Sequence, residues 1–173
     1  MDLEAPVDGW YVWLGVALVS VALLAFAVSL PAQPPPDATA AANAIDRVAS
    51  SSHQAAASYD HDAGAIKIDT KRVVMRNDGG MSRESVAFGS LTPVHAVADE
   101  DKREALERIT YGHHPASVLD NYSFGPRAVL EAAAAARERI DRHGAEWRPA
   151  DGVLYVRRVN VRGETLVLVD EDR

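Results

Sequence analysis

The chain has no cysteine, few aromatic side chains and fewer bases than acids. Its 173 residues include only three Trp, five Tyr and three Phe, and 25 acidic residues stand against 18 Lys and Arg. Without cysteine there is no disulfide scaffold, thiol nucleophile, zinc ribbon or iron–sulfur ligand set. A net charge of −7 disfavours a general nucleic-acid binder, which needs a basic face to displace counterions from phosphates. We therefore expect no nucleic-acid partner.

Charge is also missing from one long stretch near the start of the chain. Residues 10–30 read WYVWLGVALVSVALLAFAVSL and contain no acid or base. As a helix at about 1.5 Å per residue, this stretch spans roughly 30 Å, the thickness of a bilayer's hydrocarbon core. Trp10, Tyr11 and Trp13 cluster at one end, as aromatic rings do at the membrane interface. The pattern predicts a transmembrane helix over residues 10–30, in contact with the lipid bilayer.

Two other interpretations of this stretch are weaker. A buried helix of a soluble protein seldom runs this long without a charge. A secretory signal peptide begins with basic residues, whereas MDLEAPVDG has three acids and no base. We therefore predict a retained single-pass anchor in the cell membrane, with residues 1–9 as a short cytoplasmic tail. The positive-inside rule has little to count, since the first basic residue is Arg47.

The domain after the anchor is expected outside the cytoplasm. The missing cysteines, the Pro-rich segment and the glycosylation sequon Asn121-Tyr122-Ser123 each favour that side. Residues 31–36 read PAQPPP, which cannot continue a helix and predicts a short extended stalk. Residues 37–173 carry a net charge of −4 and predict a head domain of the α+β class.

Helix signals in the head give about three helices. Each has a capping residue or an N-terminal proline, followed by apolar residues at helical spacing. The stripe of the third helix is Val129, Ala133, Ala136 and Ile140, and that of the second is Ala105, Leu106 and Ile109. The predicted bounds are Asp37 or Thr39 to about Ala57, Glu100 to Tyr111 after the cap Asp99, and Pro126 to His143 before Gly144.

Strand signals predict an antiparallel sheet of about four to six strands. The candidate strands are Ala65–Asp69, Arg72–Arg76, Glu84–Phe88, an edge strand at Pro93–Val97, Val153–Val161 and Glu164–Val169. A Gly79-Gly80 turn would set Val73 opposite Val86. An Arg162-Gly163 turn would set Val159 opposite Leu166, which leaves both faces of that last hairpin partly apolar. Such a hairpin belongs in the interior of a sheet.

Residues with chemical potential form no recognisable site. The six histidines lack metal-ligand spacing, and Asp60-His61-Asp62 is best explained as a solvated loop. His113 and His114 follow a helix end, where imidazoles can cap carbonyls. Asp78-Gly79-Gly80 lacks the lysine of a phosphate loop, and Ser50-Ser51-Ser52 lies outside any nucleophile motif. We predict no catalytic, cofactor-binding or metal-binding residues, no cofactor and no enzymatic activity.

One basic cluster leaves two interpretations open. Arg157, Arg158 and Arg162 lie together on the last hairpin, where they could contact a protein partner or anionic lipid. An ordinary solvated strand edge is the favoured interpretation, because exposed edges carry charge.

Four segments carry a family resemblance: APVDGWYVWLGVALVSVAL, SLPAQPPPDA, RVVMRNDGG and WRPADGVLYVRRV. They resemble uncharacterised single-span haloarchaeal membrane proteins, which are associated with loci for type IV pilus-like or type II secretion-like machinery. The resemblance implies an accessory or minor component of an archaeal envelope assembly, with protein partners in that assembly. A major pilin is disfavoured, since no Lys or Arg precedes Trp10 and Pro31 interrupts the helix early. A stand-alone anchored ligand-binding or sensory domain is the alternative.

Overall fold

The computed structural model describes residues 9–29, 33–150 and 152–171. The chain divides into two compact units, residues 1–33 and 34–173. Residues 1–8 of the predicted tail, the end of the predicted span at Leu30 and the first two stalk residues lie outside the described residues, whereas Gly9, assigned to the tail, begins a helix. In the first unit, helix α1 covers Gly9–Ser29 and has no buried residue. It is long and apolar enough to cross a membrane, with a mean hydropathy of 2.4.

The second unit, which we call the head, has mixed α+β structure. Its described elements are α2 (Ala38–Ala49), β1 (Ala55–Asp60), β2 (Ala65–Ile68), β3 (Arg72–Asn77), β4 (Gly80–Ser85), β5 (Leu91–Pro93), a 3₁₀ turn (Val94–Ala96), α3 (Glu100–Thr110), α4 (Pro115–Leu119), α5 (Pro126–His143), β6 (Arg148–Pro149), β7 (Val153–Val161) and β8 (Glu164–Glu171).

The strands form two sheets of four, where the sequence predicted a single sheet. The first sheet has the order β1-β7-β8-β5 and the second has the order β4-β3-β2-β6. All pairs are antiparallel except β5 with β8, which is parallel and corrects the prediction of a purely antiparallel sheet. β5 is an edge strand, as expected, but it ends at Pro93 instead of beginning there, because residues 94–96 form the 3₁₀ turn.

The first sheet separates two hydrophobic cores. On one face, α2 and the second sheet pack against Leu154, Val156, Val167 and Val169. On the other face, α3, α4 and α5 pack against a second alternating set, Val159, Val161, Leu166 and Leu168. Since successive side chains of a strand point to opposite faces, β7 and β8 serve both cores.

The β7–β8 hairpin confirms its predicted register. Val159 lies opposite Leu166, and Val161 lies opposite Glu164. Arg162 and Gly163 make the turn with φ of 51° and 89°. Both strands are interior strands of the first sheet. The apolar residues on both faces therefore predicted the position correctly.

The β3–β4 hairpin corrects a predicted register. Asn77 pairs with Gly80 around an Asp78-Gly79 turn, and Val73 lies opposite Glu84, not Val86. The Asn77 side chain accepts a hydrogen bond from the Gly79 N–H at 2.8 Å, which fixes where the turn begins. A slip of two residues leaves each side chain on its own face. Hydrophobic alternation could therefore not distinguish the two registers, and the turn chemistry decided between them.

Helix α2 is shorter than predicted, and one side of it is well buried. It ends at Ala49, and Ala55–Asp60, part of which was assigned to the helix, forms strand β1 paired with β7. Alanine favours helices, but pairing with an interior strand overrides that propensity. Ala38, Ala41 and Ile45 are fully buried, because small side chains let the helix approach the sheets closely.

The predicted bounds of α3 and α5 are confirmed to within one residue. Asp99 caps α3, and Pro126 and Gly144 bracket α5. Their predicted apolar stripes are buried. A short helix, α4, was not predicted.

Two polar contacts also join α5 to the rest of the head. Arg137 donates to the buried Thr92 hydroxyl at 2.8 Å, and Thr70 donates to the Asp141 carboxylate at 2.6 Å.

The described part of the Pro-rich segment contacts the second sheet. Asn77 donates to the Pro34 carbonyl at 3.0 Å, and the Ser82 hydroxyl donates to the carbonyl of the buried Pro36. A Cβ on Gly80 would lie 3.2 Å from the Pro35 ring. Gly80 also has a φ of 138°, so this close approach favours glycine. Residues 34–36 therefore belong to the packed head.

Candidate functional site

An open cleft of about 430 Å³ lies beside the C-terminal end of α5. It is bounded by the 3₁₀ turn and the two residues after it, by α3, by the end of α5 and by the segment leading into β6. Its floor includes the buried Val97 and the buried Ile140 and Ala145. The volume lies within the range of about 300–1,000 Å³ that is typical of small-molecule sites.

The polar wall of the cleft is predominantly basic. Its lining includes three arginines and two histidines, against one carboxylate, that of Glu146. The basic residues are Arg103 of α3, Arg139 and His143 of α5, His95 of the 3₁₀ turn and Arg148 of β6. The arginines remain charged at any physiological pH. In a head of net charge −4, this wall concentrates positive charge at a concave surface.

Existing contacts hold two of these arginines in place without using all their donors. Arg139 donates from Nη1 to the Ala96 carbonyl at 2.6 Å, which ties α5 to the 3₁₀ turn. Arg103 lies 3.6 Å from Glu100 and 3.6 Å from Glu107. Those separations exceed the 2.7–3.2 Å or so of an N–H···O hydrogen bond, so they are loose ion pairs. A guanidinium has five N–H donors, and these contacts leave donors for an oxyanion.

The cleft was not predicted from the sequence. Its charged residues come from four segments separated by up to 53 positions, His95 to Arg148, and no short motif contains them. The 3₁₀ turn and β6 were themselves not predicted. The available signal was an excess of arginine near the end of α5, which is common on solvated helices.

Buried polar contacts are found at a second place, around His61. Its side chain is fully buried, and Nε2 lies 3.0 Å from Oε1 of the nearly buried Glu171. Nδ1 of His61 accepts from the Ala63 N–H at 3.2 Å, and the His61 N–H donates to the Gly152 carbonyl at 2.8 Å. The interpretation of residues 60–62 as a solvated loop is therefore wrong for His61, although Asp60 and Asp62 are exposed.

This cluster ties strand ends together. Glu171 ends β8, His61 follows β1, and the Gly152 N–H, just before β7, donates to Glu171 Oε1 at 3.3 Å. Gly152 has a φ of 98°, and a Cβ there would lie 3.3 Å from the His61 carbonyl oxygen. A side chain would therefore be both strained and crowded at this position. The arrangement is that of a buried structural contact.

The remaining histidines do not converge with these groups. His113 and His114 are exposed, and His114 precedes α4 without a side-chain capping bond. The predicted contact of these imidazoles with the end of α3 stays a prediction. His53 contacts the Ser52 hydroxyl at 2.9 Å. Among the residues that the structure describes, no group of three or more His, Asp or Glu side chains could hold a metal ion.

The arginines of the last hairpin do not form one patch. Arg157 donates to the Ile109 carbonyl on the α3 side, whereas Arg158 donates to the His53 carbonyl at 3.0 Å. Since β7 is an interior strand, the prediction of a solvated edge is wrong for Arg157 and Arg158, whereas Arg162, in the turn, is exposed. Burial lowers the pKa of Arg157 from its usual value, and the carbonyl contact compensates part of that cost.

Comparison with known proteins gives a family but no function. No curated protein matches the chain, and no solved structure matches it. One family matches residues 4–159, which cover α1 and most of the head. The chain therefore belongs to the family described as "Family of unknown function (DUF7283)".

Proposed function

We propose that the protein is a single-pass membrane protein whose α1 helix anchors the head outside the cytoplasm. The observation that carries this proposal is α1 itself, with 21 residues, no charge and no buried side chain. An apolar helix of that length in water would expose its whole circumference, which is costly, whereas lipid solvates it. The missing cysteines, the Pro-rich segment and the sequon Asn121-Tyr122-Ser123 in the head support the orientation.

Labelling of single cysteines tests both the span and its direction. The chain has no cysteine, so each variant carries one reporter. Gln54 is exposed in the head, and Gln54→Cys should react with an impermeant maleimide on intact cells. Asp2→Cys should react only after lysis. Labelling of both variants on intact cells, or of neither, would contradict a spanning helix, and the opposite pattern would place the head in the cytoplasm.

The proposed role is that of a non-enzymatic accessory or minor component of an archaeal envelope assembly, pilus-like or secretion-like. It is supported by the anchor and by the sequence resemblance to haloarchaeal single-span proteins. The head also has exposed apolar side chains that could contact protein partners, including Met81 and Phe88, each more than half exposed.

Purification from membranes tests the assembly role. The tagged full-length protein should co-purify with identified subunits of a pilus-like or secretion-like machine in a constant ratio. A double variant, Met81→Ser with Phe88→Ser, should lose them while staying in the membrane. A matched control, Ser58→Ala, changes an exposed position on β1 and should retain them. Recovery of the full-length protein without such subunits would contradict the proposal.

A second candidate function is that of an anchored ligand-binding or sensory domain. The observation that favours it is the 430 Å³ cleft with its apolar floor and basic wall. The two candidates differ in a measurable way, because the first depends on protein contacts and the second on the cleft.

A further inference from the structure

We propose that the cleft beside α5 binds a small organic oxyanion, a molecule with a phosphate ester or carboxylate group on a compact body. This inference rests on the second candidate function and names its ligand class. Three arginines from three elements surround the same space, and one carboxylate lies among the described residues lining it. The protein is acidic overall, whereas the lining is mostly basic, and the two carboxylates that pair with Arg103, those of Glu100 and Glu107, lie outside the lining at 3.6 Å.

The geometry of the donors matches an oxyanion. A guanidinium presents parallel N–H groups that suit the two oxygens of a carboxylate or phosphate. Arg139 is held by its contact with the Ala96 carbonyl, so part of its conformational entropy is already lost before a ligand binds. His143 adds a ring nitrogen that can also donate.

The rest of the cleft limits the size and nature of the ligand. The buried Val97 and Ile140 offer a small apolar contact to the body of the molecule. Glu146 can accept hydrogen bonds from hydroxyl groups. A sugar phosphate or a uronic acid has both an oxyanion and hydroxyls, and it fits a volume of about 430 Å³.

The oxyanion could come from a free metabolite or from a lipid headgroup. Both present the same chemistry to the arginines, so the experiment must separate the sources. Full-length protein in detergent is titrated by calorimetry with glucose 6-phosphate, with glucuronate and with neutral glucose. The titrations are repeated in phosphatidylcholine vesicles with and without phosphatidylglycerol.

Ala98 gives a matched pair of variants. It is exposed and lines the cleft, between the floor residue Val97 and the cap of α3. Ala98→Glu adds a negative charge at the rim, and Ala98→Gln adds a side chain of the same size without the charge. The control variant Arg142→Ala removes an arginine of α5 that lies outside the cleft, where it pairs with Glu138 at 3.1 Å.

The expected result is saturable binding of at least one anionic sugar and none of glucose. Ala98→Glu should weaken binding about tenfold relative to Ala98→Gln, the effect of about 1.4 kcal/mol. Arg142→Ala should bind as the native chain does. The anionic sugar could bind in detergent and in phosphatidylcholine vesicles but not in vesicles that also contain phosphatidylglycerol. That result would also support an oxyanion site and would assign it to a lipid headgroup.

Three results would overturn the inference. They are no binding of either anion, equal binding by Ala98→Glu and Ala98→Gln, or binding of neutral glucose alone. The last result would leave the second candidate function in place, since the cleft would still bind a ligand. None of the three alters the cysteine-labelling result, which depends on α1.

Tryptophan fluorescence gives an independent readout of binding. Trp147 lies between Glu146 and Arg148 and becomes the sole tryptophan after Trp10→Phe and Trp13→Phe.

Discussion

Helices α1 and α5 are similar in length but have opposite relations to solvent. α1 has 21 residues, none of them buried, and no charge. α5 has 18 residues and buries a single stripe, while its other side carries charged residues that include the Arg127–Glu131 and Arg142–Glu138 pairs. In α5 the sequence distinguishes a protein-facing side from a water-facing side. In α1 no such distinction exists, as expected of a helix surrounded by lipid.

The difference extends to how the helices end. α5 begins with Pro126 and ends with two basic residues before Gly144, whose φ is 79°. The basic residues complement the dipole at the C-terminal end of α5, and the Gly144 N–H donates to the Ile140 carbonyl at 2.7 Å. Neither helix has an acid in its first turn, and α1 has no base in its last. The two helices therefore differ at their last turns as well as along their sides.

The largest expected effect comes from placing a charge in the buried stripe of α5. Val129 is fully buried, so Val129→Asp would leave a carboxylate without solvent or a partner. The cost of such burial is several kcal/mol, comparable with the whole stability of a small domain. We expect the purified full-length protein to lose cooperative unfolding. Ala134→Asp, on the exposed side of the same helix, should unfold cooperatively, and equal loss in both variants would contradict the comparison.

A charge in α1 should have a different effect. Val19→Arg places it near the middle of the helix, where insertion scales give a cost of about 2.5–3.5 kcal/mol. We expect a smaller fraction of protein in carbonate-washed membranes, whereas Val19→Leu should behave as the native chain does. The head should retain its thermal unfolding midpoint, since no head residue changes. Unchanged membrane recovery of Val19→Arg would argue against a spanning helix.

The boundary between the two regions can be located with two fragments. Residues 34–173 keep the contacts of Pro34 and Pro36 with the second sheet, and residues 37–173 lose them. Two hydrogen bonds are worth about 1–3 kcal/mol in total. We therefore expect both fragments to fold and the longer one to require more urea for unfolding. Equal midpoints would show that residues 34–36 act as a spacer and not as part of the head.

Elements whose signals lie close together in the sequence were predictable, and surfaces assembled from distant segments were not. The limits of α5 were predictable because Pro126, Gly144 and a stripe at helical spacing all indicate the same element. Likewise, the β7–β8 register follows from a two-residue turn and apolar residues on both faces. In each case the information lies in residues that are close in sequence.

The elements that were missed depend on distant residues. β1 contains Ala55, Ala56 and Ala57, which favour a helix locally and become a strand because β7 pairs with them. β6 has only two residues, and its pairing with β2 defines it. His61 looked exposed because its partner, Glu171, lies 110 positions away. The cleft is the extreme case, since every one of its walls depends on the completed fold.

The smallest effect concerns the N-terminal cap of α3, a helix of the head. Asp99 accepts hydrogen bonds from the Lys102 N–H, at 3.1 Å, and from the Lys102 ammonium. The side-chain hydrogen bond from Lys102 is the main reason that the pKa of Asp99 is lowered from 3.8. A carboxyl whose pKa is lower in the folded state stabilises that state above its unfolded pKa, and the contribution disappears as the pH falls through the folded pKa.

We expect Asp99→Asn, which keeps a capping oxygen without the charge, to lower the unfolding midpoint slightly at neutral pH. The difference between the two proteins should begin to shrink as the pH falls below about 4, where the carboxyl of the unfolded chain protonates. It should disappear below the lowered pKa of the folded state, where Asp99 is neutral as well. Thermal unfolding of full-length protein in a non-ionic detergent at several pH values measures this, and a difference that stays constant through the acid range would show that the Asp99 charge does not contribute to the cap.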